Sequence, residues 1–253
     1  MHLTPMFRNH FSHFYGYAIL NKTIMNLEGD TGLSYLFITL FVIVTGAHLY
    51  ACYPPVHDRL RRCTKVLLMP LLAGCYAACA QSVSWLVFLG IAFGFIGDVL
   101  LLFPEKKKYF LFGLISFGVG HILYSIYLLS QLDGKSRALL IIIASVIYLA
   151  GAVFQILSLR KGLSRKMAIA SGCYMIVISL MSISALLFAV SHASFGGWVV
   201  FFGSLLFVLS DSILSTITFL PEKNFSFSYL AVMGTYIAAQ ACIAFGLAAM
   251  GGI

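Results

Sequence analysis

The amino-acid sequence predicts an all-α integral membrane protein: a bundle of eight transmembrane helices with a candidate 4+4 parallel repeat. Composition points there first, since 61% of the 253 residues are hydrophobic and 9% are charged, where a soluble domain carries about 25% charged residues. Apolar stretches near the ~20 residues needed to cross a hydrocarbon core about 30 Å thick recur between charged punctuation. They lack the period-2 alternation of barrel strands, and backbone groups in lipid must be paired within their own segment, which selects helices.

Taken in order, the first span covers Ser34–Tyr53 and is followed by the basic run Arg59, Arg61, Arg62 and Lys65. The second, Val66–Ser82, is the shortest. Only Gln81-Ser82-Val83-Ser84 separates its body from the third, Trp85–Phe103, so the two form a tight helical hairpin. Lys106, Lys107 and Lys108 precede the fourth, Tyr109–Leu129, and Lys135 and Arg137 precede the fifth, Ala138–Leu159. Arg160, Lys161, Arg165 and Lys166 divide it from the sixth, Met167–Val190. The seventh, Trp198–Leu220, ends just before Lys223, and the eighth covers Tyr229–Met250. Residues 1–32 form a polar N-terminal tail whose apolar fragments are too broken for a signal peptide; residues 33–253 form a single eight-helix transmembrane domain.

A net charge of +8 would suit a nucleic-acid partner, but the cations are placed by topology. Twelve of the sixteen Lys and Arg residues fall in the loops after spans one, three, five and seven, against Arg8, Lys22, Lys135 and Arg137 on the other face. This positive-inside bias puts the odd loops in the cytosol and both termini outside, with no nucleic-acid partner implied. Anionic lipid attracts the same basic face. The six cysteines show no CxxC spacing and read as small packing residues.

Two segments resemble each other four spans apart. GDVLLLFPEK closes the third span and SDSILSTITFLPEK the seventh, each with a small residue, an Asp, an apolar exit and Pro-Glu-Lys at the same face. An even offset of helices gives a parallel repeat. Of the eight acidic residues only Asp98 and Asp211 lie inside spans, and no Lys or Arg lies clearly within one. An ionised Asp at a helix centre costs roughly 2.5–3.5 kcal/mol on insertion scales. Two such acids without an intramembrane cation therefore face a wet cavity or are protonated.

At ~1.5 Å of rise per residue, Asp98 lies about 9 Å and Asp211 about 15 Å from the basic face. On the same measure His121 and Tyr124 reach about 20 and 24 Å, and Tyr236 and Gln240 about 12 and 18 Å. These groups converge in one half of the bundle as a candidate site. An intramembrane acid that bonds only a neighbouring helix, and tyrosines that anchor at interfaces, are the structural alternatives. There is no HExxH, no His/Cys pair at ligand spacing, no GxSxG and no Walker loop, so no metal or cofactor is expected.

The strings GFIGDVLLLF, FGLISFGVGHILY, GSLLFVLSDSILSTITF and TYIAAQACIAF together resemble the YhhN/TMEM86 family of eight-helix membrane proteins, the lysoplasmalogenases. The resemblance spans roughly Lys65 to Leu247 and rests on Lys65, Asp98, His121, Tyr124, Tyr174, Gly203, Ser210, Asp211, Tyr236 and Gln240. In the family pattern a Pro follows the Lys within two or three residues; here Pro70 stands five residues on.

The resemblance implies hydrolysis of the vinyl ether of a lysoplasmalogen, with lysophospholipid and water as substrates and membrane lipid as surroundings. A fatty aldehyde and a glycerophospho-base are the products. A vinyl ether is cleaved by protonating its β carbon and capturing the oxocarbenium ion with water, work for a general acid and a second carboxylate. The implied catalytic residues are Asp98, Asp211 and His121, with Asp98, nearer the headgroup, as the first choice of acid. Substrate binding falls to Lys65 at the phosphate and to Tyr124, Tyr174, Tyr236 and Gln240. The membrane is the endoplasmic reticulum in a eukaryote or the inner membrane in a bacterium. A proton-coupled transporter has the same parallel repeat and intramembrane acids, and stands as the alternative.

Overall fold

The computed structural model describes residues 32–54, 56–103, 107–135 and 137–250. The tail expected over residues 1–32, Gly32 apart, and the first Pro-Glu-Lys at 104–106 lie outside the described residues. Eight α-helices follow one another: α1 (Gly32–Cys52), α2 (Asp58–Cys79), α3 (Trp85–Leu100), α4 (Lys107–Ser130), α5 (Ala138–Leu159), α6 (Arg165–His192), α7 (Phe195–Phe219) and α8 (Ser228–Ala248). A 3₁₀ turn, Pro221–Lys223, joins α7 to α8. No strand occurs among the described residues.

Seven of these helices are long and apolar enough to cross a membrane. The exception, α3, has 16 residues, about 24 Å of helix against a hydrocarbon core of ~30 Å. It stops at Leu100 rather than at Phe103, which places Asp98 in its last turn. The largest departure from the sequence reading is α2. It begins at Asp58 rather than Val66, because Asp58, Arg59, Arg61 and Arg62 continue the helix while keeping their charges toward the outside. Lys65 thereby moves from a helix boundary to a buried position two turns inside α2.

The packing order is a closed ring. Helix α2 packs on α3, α3 on α4, α4 on α6, α6 on α7, α7 on α8, and α8 returns to α2. Outside the ring, α5 leans on α6 and α7. In the corresponding place α1 leans on α2, where Ser34 Oγ donates to the Ala78 carbonyl at 2.7 Å and His48 Nδ1 meets Thr64 Oγ1 at 2.8 Å. Half a turn of the ring exchanges α2 with α6, α3 with α7 and α4 with α8. That is the contact order a 4+4 parallel repeat generates.

The outside of the ring is greasy: Ile115, Ile122 and Ile126 of α4, Ile142, Val146, Leu149 and Phe154 of α5, and Phe202 and Leu209 of α7 are all exposed. A patch of this extent is untenable in water and ordinary against lipid. Inside, small residues bring backbones together, as lipid-embedded helices require. On α7, a Cβ at Gly203 would lie 2.7 Å from Cys242 Cβ and 2.9 Å from the Ala239 carbonyl of α8. Gly203→Val is therefore expected to cost about 1–3 kcal/mol through overpacking. The check is thermal unfolding in detergent; an unchanged midpoint would mean that α7 and α8 do not meet this closely.

Candidate active site

Each carboxyl in the spans terminates a line of hydrogen-bond donors. Asp98, on α3, is fully enclosed: its Oδ1 lies 3.4 Å from the Lys65 ammonium of α2, and its Oδ2 accepts from the Tyr236 hydroxyl of α8 at 2.8 Å. One turn further along α8, the Gln240 side chain adjoins that same hydroxyl. Gln240 Oε1 in turn accepts from Tyr124 of α4 at 3.1 Å. Asp211, on α7, accepts a very short hydrogen bond from the Tyr174 hydroxyl of α6. The oxygen of that hydroxyl also lies 3.2 Å from His121 Nε2 of α4, within hydrogen-bond reach. The buried Nδ1 of His121 has no hydrogen-bond partner among the described residues.

The two lines occupy equivalent places in the ring. Asp98 is contacted from α2 and α8, and Asp211 from α6, whose Tyr174 is met in turn by His121 of α4. Between them stands the buried Phe207, whose ring meets His121 edge-on at 4.4 Å and Tyr236 edge-on at 5.4 Å. Glycines on α3 admit the large side chains. A Cβ at Gly97 would lie 2.7 Å from the Phe117 ring, and one at Gly94 would lie 3.0 Å from Gln240 Nε2.

Two adjoining cavities meet at Asp211. One, of about 570 Å³, is polar at its mouth, where Arg61, Arg62, Asn224 and Tyr229 stand. Asp98, Lys65 and Tyr236 line its interior. The other, of about 390 Å³, runs between α5, α6 and α7; Tyr174 and Asp211 are on its inner wall and Ile147, Phe154 and Ile178 supply apolar surface. Leu101, Phe110, Phe117, Asp211, Leu214 and Phe219 line both. The mouth of the first is built from the ends of helices on the face that carries the odd-numbered loops, which is the basic face.

Several expectations are corrected by this geometry. A cation does lie inside a span: Lys65 is buried in α2, on the wall of the polar cavity, 3.4 Å from Asp98. Hydropathy alone hid it because the helix starts in a charged turn. Tyr124, Gln240 and His121 line neither cavity. His121 and Gln240 stand directly behind Tyr174 and Tyr236, and Tyr124 stands one step further back, on Gln240. Arg61 and Arg62 were legible as charges but were absorbed into topology. Arg61 pairs with Asp58 at 3.0 Å and lies 5.0 Å from the Tyr229 ring centroid, while Arg62 is exposed beside it.

The Asp211 carboxyl beside a phenol and the Asp98 carboxyl beside an ammonium thus line one cavity, which has a basic mouth and an adjoining apolar groove. No curated protein and no solved structure matches the chain. A family model does, over residues 60–247, a stretch that contains both carboxyls, both donor lines and the arginines of the cavity mouth. The chain belongs to the YhhN family.

Proposed function

We propose that the protein is a membrane hydrolase that cleaves the vinyl ether of a lysoplasmalogen to a fatty aldehyde and a glycerophospho-base. The observation that carries this reading is the position of Asp211, where a basic-mouthed polar cavity meets an apolar groove. A single-chain phospholipid laid across that junction puts its phosphate toward Arg61 and Arg62, its chain in the groove, and its vinyl ether at the acids. Membership of the YhhN family is consistent with it.

In this mechanism Asp211 is the acid and Asp98 the base, the reverse of the first choice made from depth. Asp98 has a cation at 3.4 Å and serves as a carboxylate, whereas among the described residues the Asp211 side chain is bonded to the Tyr174 phenol. Asp211 gives its proton to the β carbon of the vinyl ether, leaving an oxocarbenium ion flanked by the new Asp211 carboxylate. Water adds to the α carbon and surrenders a proton toward Asp98, forming a hemiacetal. The hemiacetal hydroxyl then loses its proton as the carbon–oxygen bond to glycerol breaks and the glycerol oxygen is protonated. One water is consumed and both carboxyls return to their starting state. Tyr174 and Tyr236 hold the carboxyls in place, His121 and Gln240 hold those tyrosines, and Tyr124 holds Gln240. With the odd-numbered loops in the cytosol, the polar mouth opens to the cytosol.

The test is aldehyde release by purified protein in detergent from lysoplasmenyl-ethanolamine and lysoplasmenyl-choline. Saturable release is expected, with the corresponding 1-alkyl ether, which has no double bond to protonate, inert. Solute uptake into liposomes without any aldehyde would replace this reading with the transporter.

A further inference from the structure

Helix α5 is the least embedded of the described helices from α2 to α8. Of its residues only Ala144 and Leu159 are buried, yet it lies against α6 and α7 with one polar clasp toward each. Tyr148 bonds Ser182 of α6, whose hydroxyl continues to Ser204 of α7 at 2.7 Å. Gln155 Nε2 donates to the Ser212 carbonyl at 3.1 Å and to Ser215 Oγ at 2.9 Å on α7. The clasps are seven residues apart on one helix face, about 10 Å of helix. Between them the groove-lining positions are Gly151 and Ala152, too small to close the gap, and a Cβ built on Gly151 meets no neighbouring helix within 4 Å. The 390 Å³ groove lies behind this stretch and ends inward at Tyr174 and Asp211.

We propose that the gap between the Tyr148 and Gln155 clasps is the port through which the substrate's single apolar chain passes from the bilayer, and that Gly151 sets how much chain it admits. The occupant follows from continuity. The groove is apolar, faces lipid on one side, and opens inward onto the one carboxyl it shares with the polar cavity. A chain seated there holds its attached ether at Asp211. Gly151 is thus a specificity-determining residue with no part in the chemistry. This inference rests on the proposed function for the identity of the chain, but its test does not need turnover.

A 1-alkyl-2-lyso-glycerophosphoethanolamine carrying a diazirine in its alkyl chain is photolysed with the purified protein, and adducts are mapped by mass spectrometry. Adducts are expected on residues 147–156 of α5 and 171–179 of α6, and an excess of the unlabelled alkyl lysolipid should suppress them. Adducts spread over exposed faces such as Ile122 and Ile126 of α4, unchanged by competitor, would overturn the port. For Gly151→Leu, kcat/KM on a long-chain lysoplasmenyl substrate should fall by about 10-fold while that on a short-chain one stays within about twofold, the discrimination an apolar pocket gives. Equal losses on both chains would overturn the role of Gly151. If wild type releases no aldehyde, the enzyme reading fails while the labelling pattern still decides the port.

Discussion

Asp211→Asn is expected to lower kcat for aldehyde release by about 10²–10⁴-fold, the range that positioned proton transfer contributes. The amide keeps the shape of the side chain and its contact with Tyr174, but has no acidic proton for the β carbon. Asp98→Asn is also expected to reduce turnover, for a different reason, and added small acids separate the two. Formate should partly restore Asp98→Asn, because an anion in the 570 Å³ cavity can accept the proton of the attacking water. The Asp211→Asn variant should instead respond to the concentration of undissociated buffer acid, an external proton source. The opposite pattern would make Asp98 the acid. Near wild-type turnover in the double Asn variant would remove both carboxyls from the chemistry.

The spans were readable because lipid demands long unbroken apolar runs, and the two acids because nothing else charged lies deep in those runs. What a linear reading misses is angle. His121, Tyr124, Tyr174, Tyr236 and Gln240 are all polar residues in apolar helices, and rise per residue gives their depth but not the direction in which each points. Only the closed ring separates Tyr236 and Tyr174, which touch carboxyls, from His121 and Gln240, which adjoin those tyrosines, and from Tyr124, which bonds Gln240. Lys65 was hidden for a second reason. A hydropathy window discards a charged first turn, yet Asp58 through Arg62 is helical and carries Lys65 inward. The likeness of the two Asp segments was visible in the chain, but the ring order in which α3 and α7 stand opposite each other depends on contacts between helices far apart in the chain.

The Lys65–Asp98 pair yields the largest expected effect on stability, and it separates holding the fold from doing the chemistry. Both members are buried on the inner wall of the polar cavity, away from bulk water. Removing one partner of a buried pair costs about 3–5 kcal/mol, because the survivor is left as an uncompensated charge, whereas removing both is often close to neutral. Lys65→Met is accordingly expected to lower the unfolding free energy in detergent by about that amount. Lys65→Met combined with Asp98→Asn should recover most of it, giving a favourable coupling between the two sites in a double-mutant cycle. The recovered protein should still be defective in aldehyde release, because the carboxylate that receives the water's proton is gone. Additive losses in the cycle would mean that the 3.4 Å approach is not an ion pair in solution. Asp98 would then lose the cation that distinguishes it from Asp211, and the acid and base roles would have to be reassigned.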